Sequence, residues 1–196
     1  MELEIVNNKG EKTGRSLQLS DAVFAIEPND HAIYLDVKQH LANKRQGTHK
    51  AKERAEVSRS TRKLFKQKHT GRARSGSFKS PVHKGGGTIF GPRPRDYGFK
   101  LNKKVKTLAR KSALSYKVTG NEITVVEDFK MESPKTKEYA AFLKGMNTGN
   151  RRSLFIEGDS MESISRSARN IPHARVLRAA DLNTFEVMNA KKLILS

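Results

Sequence analysis

The sequence predicts an α/β fold: an open, mainly parallel sheet flanked by helices, with a long extended basic loop inserted in the N-terminal half. Three observations lead there. Short apolar runs alternate with helical patterns through the last third of the chain, as they do when each strand is followed by a covering helix. From Val57 to Arg95 there is no Asp or Glu and no sustained hydrophobic period. Setting Lys44–Tyr97 aside leaves 142 residues, enough to bury an ordinary core.

Taken in order, Glu2–Val6 alternates and ends in Asn7-Asn8-Lys9-Gly10, a strand and hairpin bend. Pro28, Asn29 and Asp30 signal a helix start, and Ile33, Val37 and Leu41 give one apolar stripe up to about Arg45. Asn102 reads as the cap of the next helix. Val105, Leu108, Ala109, Ala113 and Tyr116 lie on its apolar face, with Lys103, Lys104, Lys106 and Arg110 opposite. Glu122–Glu127 is a strand, and Ser133-Pro134 caps a helix bearing Tyr139, Phe142, Leu143 and Met146, with Gly149 beyond its end. Ser153–Ile156 is a buried strand, and Asp159 caps a helix with Met161, Ile164 and Ala168. Arg175–Arg178 is a third strand of this region, Asp181–Asn189 a short helix and Lys192–Leu195 a last strand. The expected organisation is one domain over residues 1–196, with residues 44–97 as the inserted loop.

Charge is concentrated in that loop. From Lys44 to Lys111 there are 22 Lys and Arg against three acids (Glu53, Glu56, Asp96), a net +19. The whole chain is also +19, so everything outside the window is neutral. Between Val57 and Arg95 stand eleven cations with no compensating acid. Like charges in a low-dielectric core repel and lose hydration, so such a stretch persists only in water or against a dense polyanion. Nucleic acid is the expected partner.

Several classes of function are not expected. With no Cys there are no disulfides, thiolate metal sites or thiol nucleophiles. No apolar run is long enough to span a bilayer and the start lacks a signal-peptide core, so a cytoplasmic location without membrane partners is expected. The six histidines form no metal-binding spacing, and no catalytic constellation can be nominated. Gly85-Gly86-Gly87 matches neither nucleotide-binding glycine pattern and reads instead as a sharp turn against another backbone. No cofactor, no metal and no catalytic residues are expected.

The arm itself carries six of the chain's 14 glycines between Val57 and Arg95. In Gly71-Arg72-Ala73-Arg74-Ser75-Gly76-Ser77, small residues let backbone approach phosphates while Arg offers bidentate forks. Phe65, Phe78 and Phe90 are interleaved with cations, as in proteins that stack unpaired bases, and their role stays open, whereas Tyr97 and Phe99 are expected to pack the arm's base onto the body. Doubled back with about 20 residues per limb, the arm reaches ~65 Å at ~3.3 Å per residue. With so little apolar surface it is expected to order on its partner. A structural RNA-binding protein, a nucleic-acid-modifying enzyme with a basic guide arm, and a DNA-compacting protein all remain open on these grounds.

The order of certain segments narrows this. Arg45-Gln-Gly-Thr48, Arg54-Ala-Glu-Val57, Thr70-Gly-Arg-Ala-Arg-Ser-Gly-Ser77, Ser80-Pro81, Gly85-Gly-Gly87, Phe90-Gly-Pro-Arg-Pro-Arg-Asp-Tyr97, Asn102-Lys-Lys-Val105, Lys111-Ser-Ala-Leu-Ser115, Ser133-Pro-Lys-Thr-Lys137 and Ala168-Arg-Asn170 follow one another as in the bacterial large-subunit ribosomal protein four family. The chain resembles that family over essentially its whole length. The resemblance implies a non-enzymatic structural constituent of the large ribosomal subunit, in the cytoplasm. Such a protein threads its loop into ribosomal RNA, aids subunit assembly and contributes to the wall of the nascent-peptide exit tunnel. The implied partners are large-subunit ribosomal RNA, neighbouring large-subunit ribosomal proteins and the nascent peptide passing the loop tip.

RNA contacts are expected at Arg45, Lys50, Lys52, Arg54, Arg59, Lys68, Arg72, Arg74, Lys79, Lys84, Gly85, Gly86, Gly87, Arg93, Arg95, Lys103 and Lys104. Tunnel-lining candidates near the tip are Arg62, Lys63, Phe65, Lys66, Gln67 and His69. The tip departs from the family pattern Lys-Pro-Trp-Arg-Gln-Lys-Gly, reading Lys63-Leu-Phe-Lys-Gln-Lys-His69. A non-Gly residue at position 69 disfavours positive φ, so a different backbone path is expected there.

Overall fold

The computed structural model describes residues 2–129, 131, 133–149, 151–158 and 162–196. The chain separates into two units, Met1–Leu41 with Phe99–Ser196, and Ala42–Gly98.

The first unit is the α/β body. Its strands are β1 (Glu2–Val6), β2 (Lys12–Gln18), β3 (Ile123–Val126), β4 (Ser153–Glu157), β5 (Ala174–Arg178) and β6 (Lys192–Leu195). They form one sheet in the order β2-β1-β3-β6-β4-β5. Only β2 runs antiparallel to its neighbour; every other pairing is parallel. The helices are α1 (Asp21–Phe24), α2 (Asp30–Asn43), α3 (Lys103–Thr119), α4 (Thr136–Gly145), α5 (Glu162–Ala168) and α6 (Thr184–Asn189).

The apolar runs are continuous in the central strands because both faces of the sheet are covered. Leu154, Ile156 and Leu193 pack with Ile33 of α2, Ala113, Leu114 and Val118 of α3, and Val187 of α6. Their alternating neighbours Phe155 and Ile194 pack with Tyr139, Phe142 and Leu143 of α4 and Ile164 and Ala168 of α5. Phe142 stacks on Phe129 at 4.4 Å between ring centroids and meets Phe155 edge-on at 5.8 Å. No residue of the second unit belongs to either cluster.

Several sequence expectations are corrected. β2 follows the expected bend as a full strand, although its sequence is polar. It is an exposed edge strand with only one neighbour, held in part by Thr13 Oγ1 donating to Ile5 O at 2.8 Å. On α2, Leu41 is exposed and Gln39 is buried instead, because the Gln39 amide is satisfied by donating to Phe99 O at 2.6 Å. The buried face of α3 is rotated from the expected one: Leu108 and Tyr116 are exposed, while Ala109, Ser112, Ala113 and Leu114 are buried. Small residues there allow close approach, and the Ser112 hydroxyl accepts from Asn29 N at 3.1 Å.

Asn102 holds the cap position of α3, but its carbonyl rather than its side chain takes the bond, from Lys106 N at 3.2 Å. α4 begins after Lys135 rather than after Ser133-Pro134. The segment expected as one helix from Asp181 is a 3-10 turn, Ala179–Asp181, followed by α6. The α6 cap is Asn183, whose side chain accepts from Glu186 N at 2.9 Å. Asp159 and Met161 lie outside the described residues.

Some body cations serve the fold. The buried Lys117 ammonium pairs with Glu122 and donates to Ala190 O at 2.7 Å. Burial, and then the nearby Arg151, push the Lys192 ammonium below its ordinary pKa, and it donates to Met146 O at 2.6 Å. Glu157 is the opposite case. Burial, and then Asp128, raise its carboxyl above the ordinary range, and its Oε2 is buried without a hydrogen-bond partner among the described residues. A carboxyl whose pKa rises on folding holds its proton more tightly in the native state. It therefore subtracts stability as pH climbs from the ordinary carboxyl range through the raised value. Glu157→Gln should raise the melting temperature at pH 7 by on the order of 1–3 °C. The gain should shrink as pH falls and be gone by about pH 3, below the ordinary carboxyl range, where the wild-type carboxyl is protonated in both states; equal gains at both pH values in thermal melts would refute this.

Candidate nucleic-acid interface

The second unit is a hairpin without a core. Of its residues, only Gly87 is buried. Two limbs are joined by scattered backbone bonds instead of a continuous ladder: Arg95 N to Gly47 O at 3.1 Å, Ala51 N to Pro92 O at 3.0 Å and Thr88 N to Lys52 O at 2.9 Å. Further out, Leu64 N donates to Gly76 O at 3.2 Å and Lys63 bridges Ser77 antiparallel, closing the tip loop.

Side chains brace this frame. The two glutamates are staples: Glu53 crosses the limbs to Arg93 at 2.6 Å, and Glu56 takes the Lys50 ammonium. That hydrogen bond, followed by one from Glu53 N, holds the Glu56 carboxyl below its ordinary pKa, so the pair persists throughout the neutral range. The guanidiniums of Arg45 and Arg95 sit over the Tyr97 ring, 3.9 and 4.5 Å from its centroid. The Tyr97 hydroxyl meets His49 Nε2 at 2.9 Å. Tyr97 thus packs limb against limb, a role within the arm that the sequence did not reveal. Phe78 stacks on His83 at 5.4 Å, lies under Arg59 at 4.7 Å and is consumed there, while Arg59 also donates to Lys84 O at 2.9 Å.

Glycines set the limb spacing. A Cβ on Gly87 would stand 2.5 Å from Arg54 Cα and 2.7 Å from the Glu53 carbonyl carbon. One on Gly86 would stand 2.7 Å from the Ser80 carbonyl carbon. Gly85 has φ +77°, so it serves conformation as well as space.

The predicted RNA-contact residues therefore divide by circumstance. Lys50, Arg59, Arg93, Arg45 and Arg95 are engaged inside the arm. Lys52, Arg54, Lys68, Arg72, Arg74 and Lys84 are exposed, and no acid pairs with them among the described residues. Lys79 is half-buried and likewise unpaired. Lys103 and Lys104 are exposed in the first turn of α3, which has no acid of its own.

Of the tunnel candidates, Phe65, Lys66, Gln67 and His69 fall within the loop closed by Leu64 and Gly76, while Arg62 and Lys63 stand at its neck. His69 has φ +63°, so this non-Gly residue occupies the left-handed conformation that it disfavours. Unpaired cations spaced along a coreless hairpin can neutralise a dense polyanion by direct contact, and they offer no nucleophile or acid–base pair.

Comparison with known proteins agrees. The model described as the ribosomal protein L4/L1 family matches residues 17–196. The large ribosomal subunit protein uL4 of Parabacteroides distasonis is 59% identical over 196 residues, spanning 100% of this chain and 94% of the relative. That of Cytophaga hutchinsonii is 57% identical over 196 residues, with the same coverage. That of Christiangramia forsetii is 56% identical over 194 residues, 99% of this chain and 93% of the relative. Family match and whole-length identity converge on one assignment: the chain belongs to the ribosomal protein L4/L1 family.

Proposed function

We propose that this protein is a structural, non-enzymatic constituent of the large ribosomal subunit in the cytoplasm, binding ribosomal RNA through residues 44–97. The observation that carries this reading is the coreless hairpin with unpaired, exposed cations on both limbs and at the tip. Its mechanism is charge neutralisation. Lys52, Arg54, Lys68, Arg72, Arg74, Lys79 and Lys84 offset phosphate repulsion between converging RNA segments, and Lys103 and Lys104 add to this from the body. Arg45, Lys50, Arg59, Arg93 and Arg95 hold the limbs in register and offer their remaining donors to phosphate. Gly85, Gly86 and Gly87 keep the limbs thin enough to enter between RNA segments.

Neutralising phosphates early is how the protein aids subunit assembly, beside neighbouring large-subunit proteins. The tip, with Arg62, Lys63, Phe65, Lys66, Gln67 and His69, contributes to the exit-tunnel wall and faces the nascent peptide. Filter binding of the isolated protein to ribosomal RNA fragments across a salt series tests the mechanism. If about six cations meet phosphates, log affinity falls against log salt with a slope near −4. A flat response would exclude it.

A further inference from the structure

The two backbone bonds at the arm's base are out of step. Thr88 N reaches Lys52 O and Ala51 N reaches Pro92 O, so one step on the outgoing limb faces four on the returning limb. Ile89, Phe90 and Gly91 are therefore looped out as a bulge, a device that re-aims a side chain. Phe90 takes φ +54°, a conformation a bulky residue rarely adopts, and its exposure is 103% of the reference value. Gly91 permits the bulge, since a Cβ there would stand 2.5 Å from Ala51 Cβ. Phe90 has no aromatic or cationic partner among the described residues, unlike Phe78 and Tyr97. Beside it lies a cavity of about 770 Å³ whose lining includes Arg54, Arg93, Arg95 and Tyr97, together with Glu53, the acid that Arg93 pairs with. A bare ring beside a cation-lined cavity suits a planar group that carries phosphates on either side.

We infer that the Ile89–Gly91 bulge is a base-capture site. Phe90 stacks on one unpaired RNA nucleobase at the mouth of the cavity, and Arg54 and Arg93 take its flanking phosphates. The inference rests on the RNA-binding reading and deepens it, because it assigns one contact to a base instead of to the backbone. An apolar stack releases no counterions, so it separates from the cationic contacts by salt dependence.

The test uses the full-length protein, large-subunit ribosomal RNA transcribed without modification, and the variants Phe90→Ala and Phe90→Trp. Phe90→Ala is expected to weaken binding roughly tenfold at fixed salt while leaving the log–log salt slope unchanged. Phe90→Trp retains affinity, and ultraviolet crosslinking followed by mass spectrometry finds a nucleotide adduct at residue 90 in the wild type. Three results would each overturn base capture: Phe90→Ala binding within twofold of wild type, a loss accompanied by a shallower slope, or no adduct at residue 90. Phe90→Ala protein that binds naked RNA normally but fails to enter subunits would point to a protein contact, and also overturns it. If the arm excision described below still lowers affinity, only base capture has failed; if it does not, the RNA-binding reading has failed with it.

Discussion

Replacing residues 45–97 with a short Gly/Ser linker is expected to remove RNA binding and leave the body folded. The excised segment carries 15 Lys and Arg against three acids, a net +12 of the chain's +19. Losing about six phosphate contacts should cost at least ~100-fold in affinity at ~0.1 M salt. The fold should survive, because both apolar clusters are built from the body alone and every parallel strand pairing lies within it. The limbs already meet at Gly47 and Arg95, so a short linker can bridge the cut. Far-UV circular dichroism and a single cooperative melt within ~3 °C of wild type would establish the folded body. An unfolded deletant would mean the arm completes the core; a folded one with undiminished affinity would place the RNA site elsewhere.

How much of this was legible in the residues depends on what each pattern encodes. β4 and β6 were readable because a short run buried on both faces has no polar interruption, as Leu154–Ile156 and Leu193–Leu195 illustrate. β2 was not, because an exposed edge strand has no apolar signature and owes its existence to a neighbour. The face of α3 was misjudged for a related reason. Hydrophobic spacing favoured Leu108 and Tyr116, whereas the structure buries Ser112 and Ser115, whose small size lets the helix approach closely. In the arm, charge density marked the interface as a whole. It could not separate cations that brace the hairpin, such as Arg45 and Arg59, from those left free, such as Arg72 and Arg74. That division depends on contacts between residues tens of positions apart, and the bulge at Phe90 on an offset between two such contacts.

Gly87→Ala should be nearly as damaging to RNA binding as losing several cations, though it alters no charge. Its added methyl would meet Arg54 Cα and the Glu53 carbonyl carbon, both backbone, so neither can swing aside. The limbs must separate, straining the bonds from Gly87 N to Lys79 O and from Thr88 N to Lys52 O. If RNA required only a flexible polycation, this would not matter, since the cations would still reach phosphates. If it requires two limbs in register within a narrow channel, affinity falls ~10- to 100-fold as aligned contacts are lost together. Gly76→Ala is the matched control, because its methyl would meet nothing within 4 Å and its φ is not in the left-handed region. Gly85→Ala should be intermediate: its φ of +77° is strained for alanine, but the atoms nearest the new methyl belong to the Arg59 side chain, which can move. Measured side by side at one salt concentration, the expected order of loss is Gly87, then Gly85, then Gly76. Equal affinities for the Gly87 and Gly76 variants would show that charge alone, without a fixed hairpin, accounts for binding.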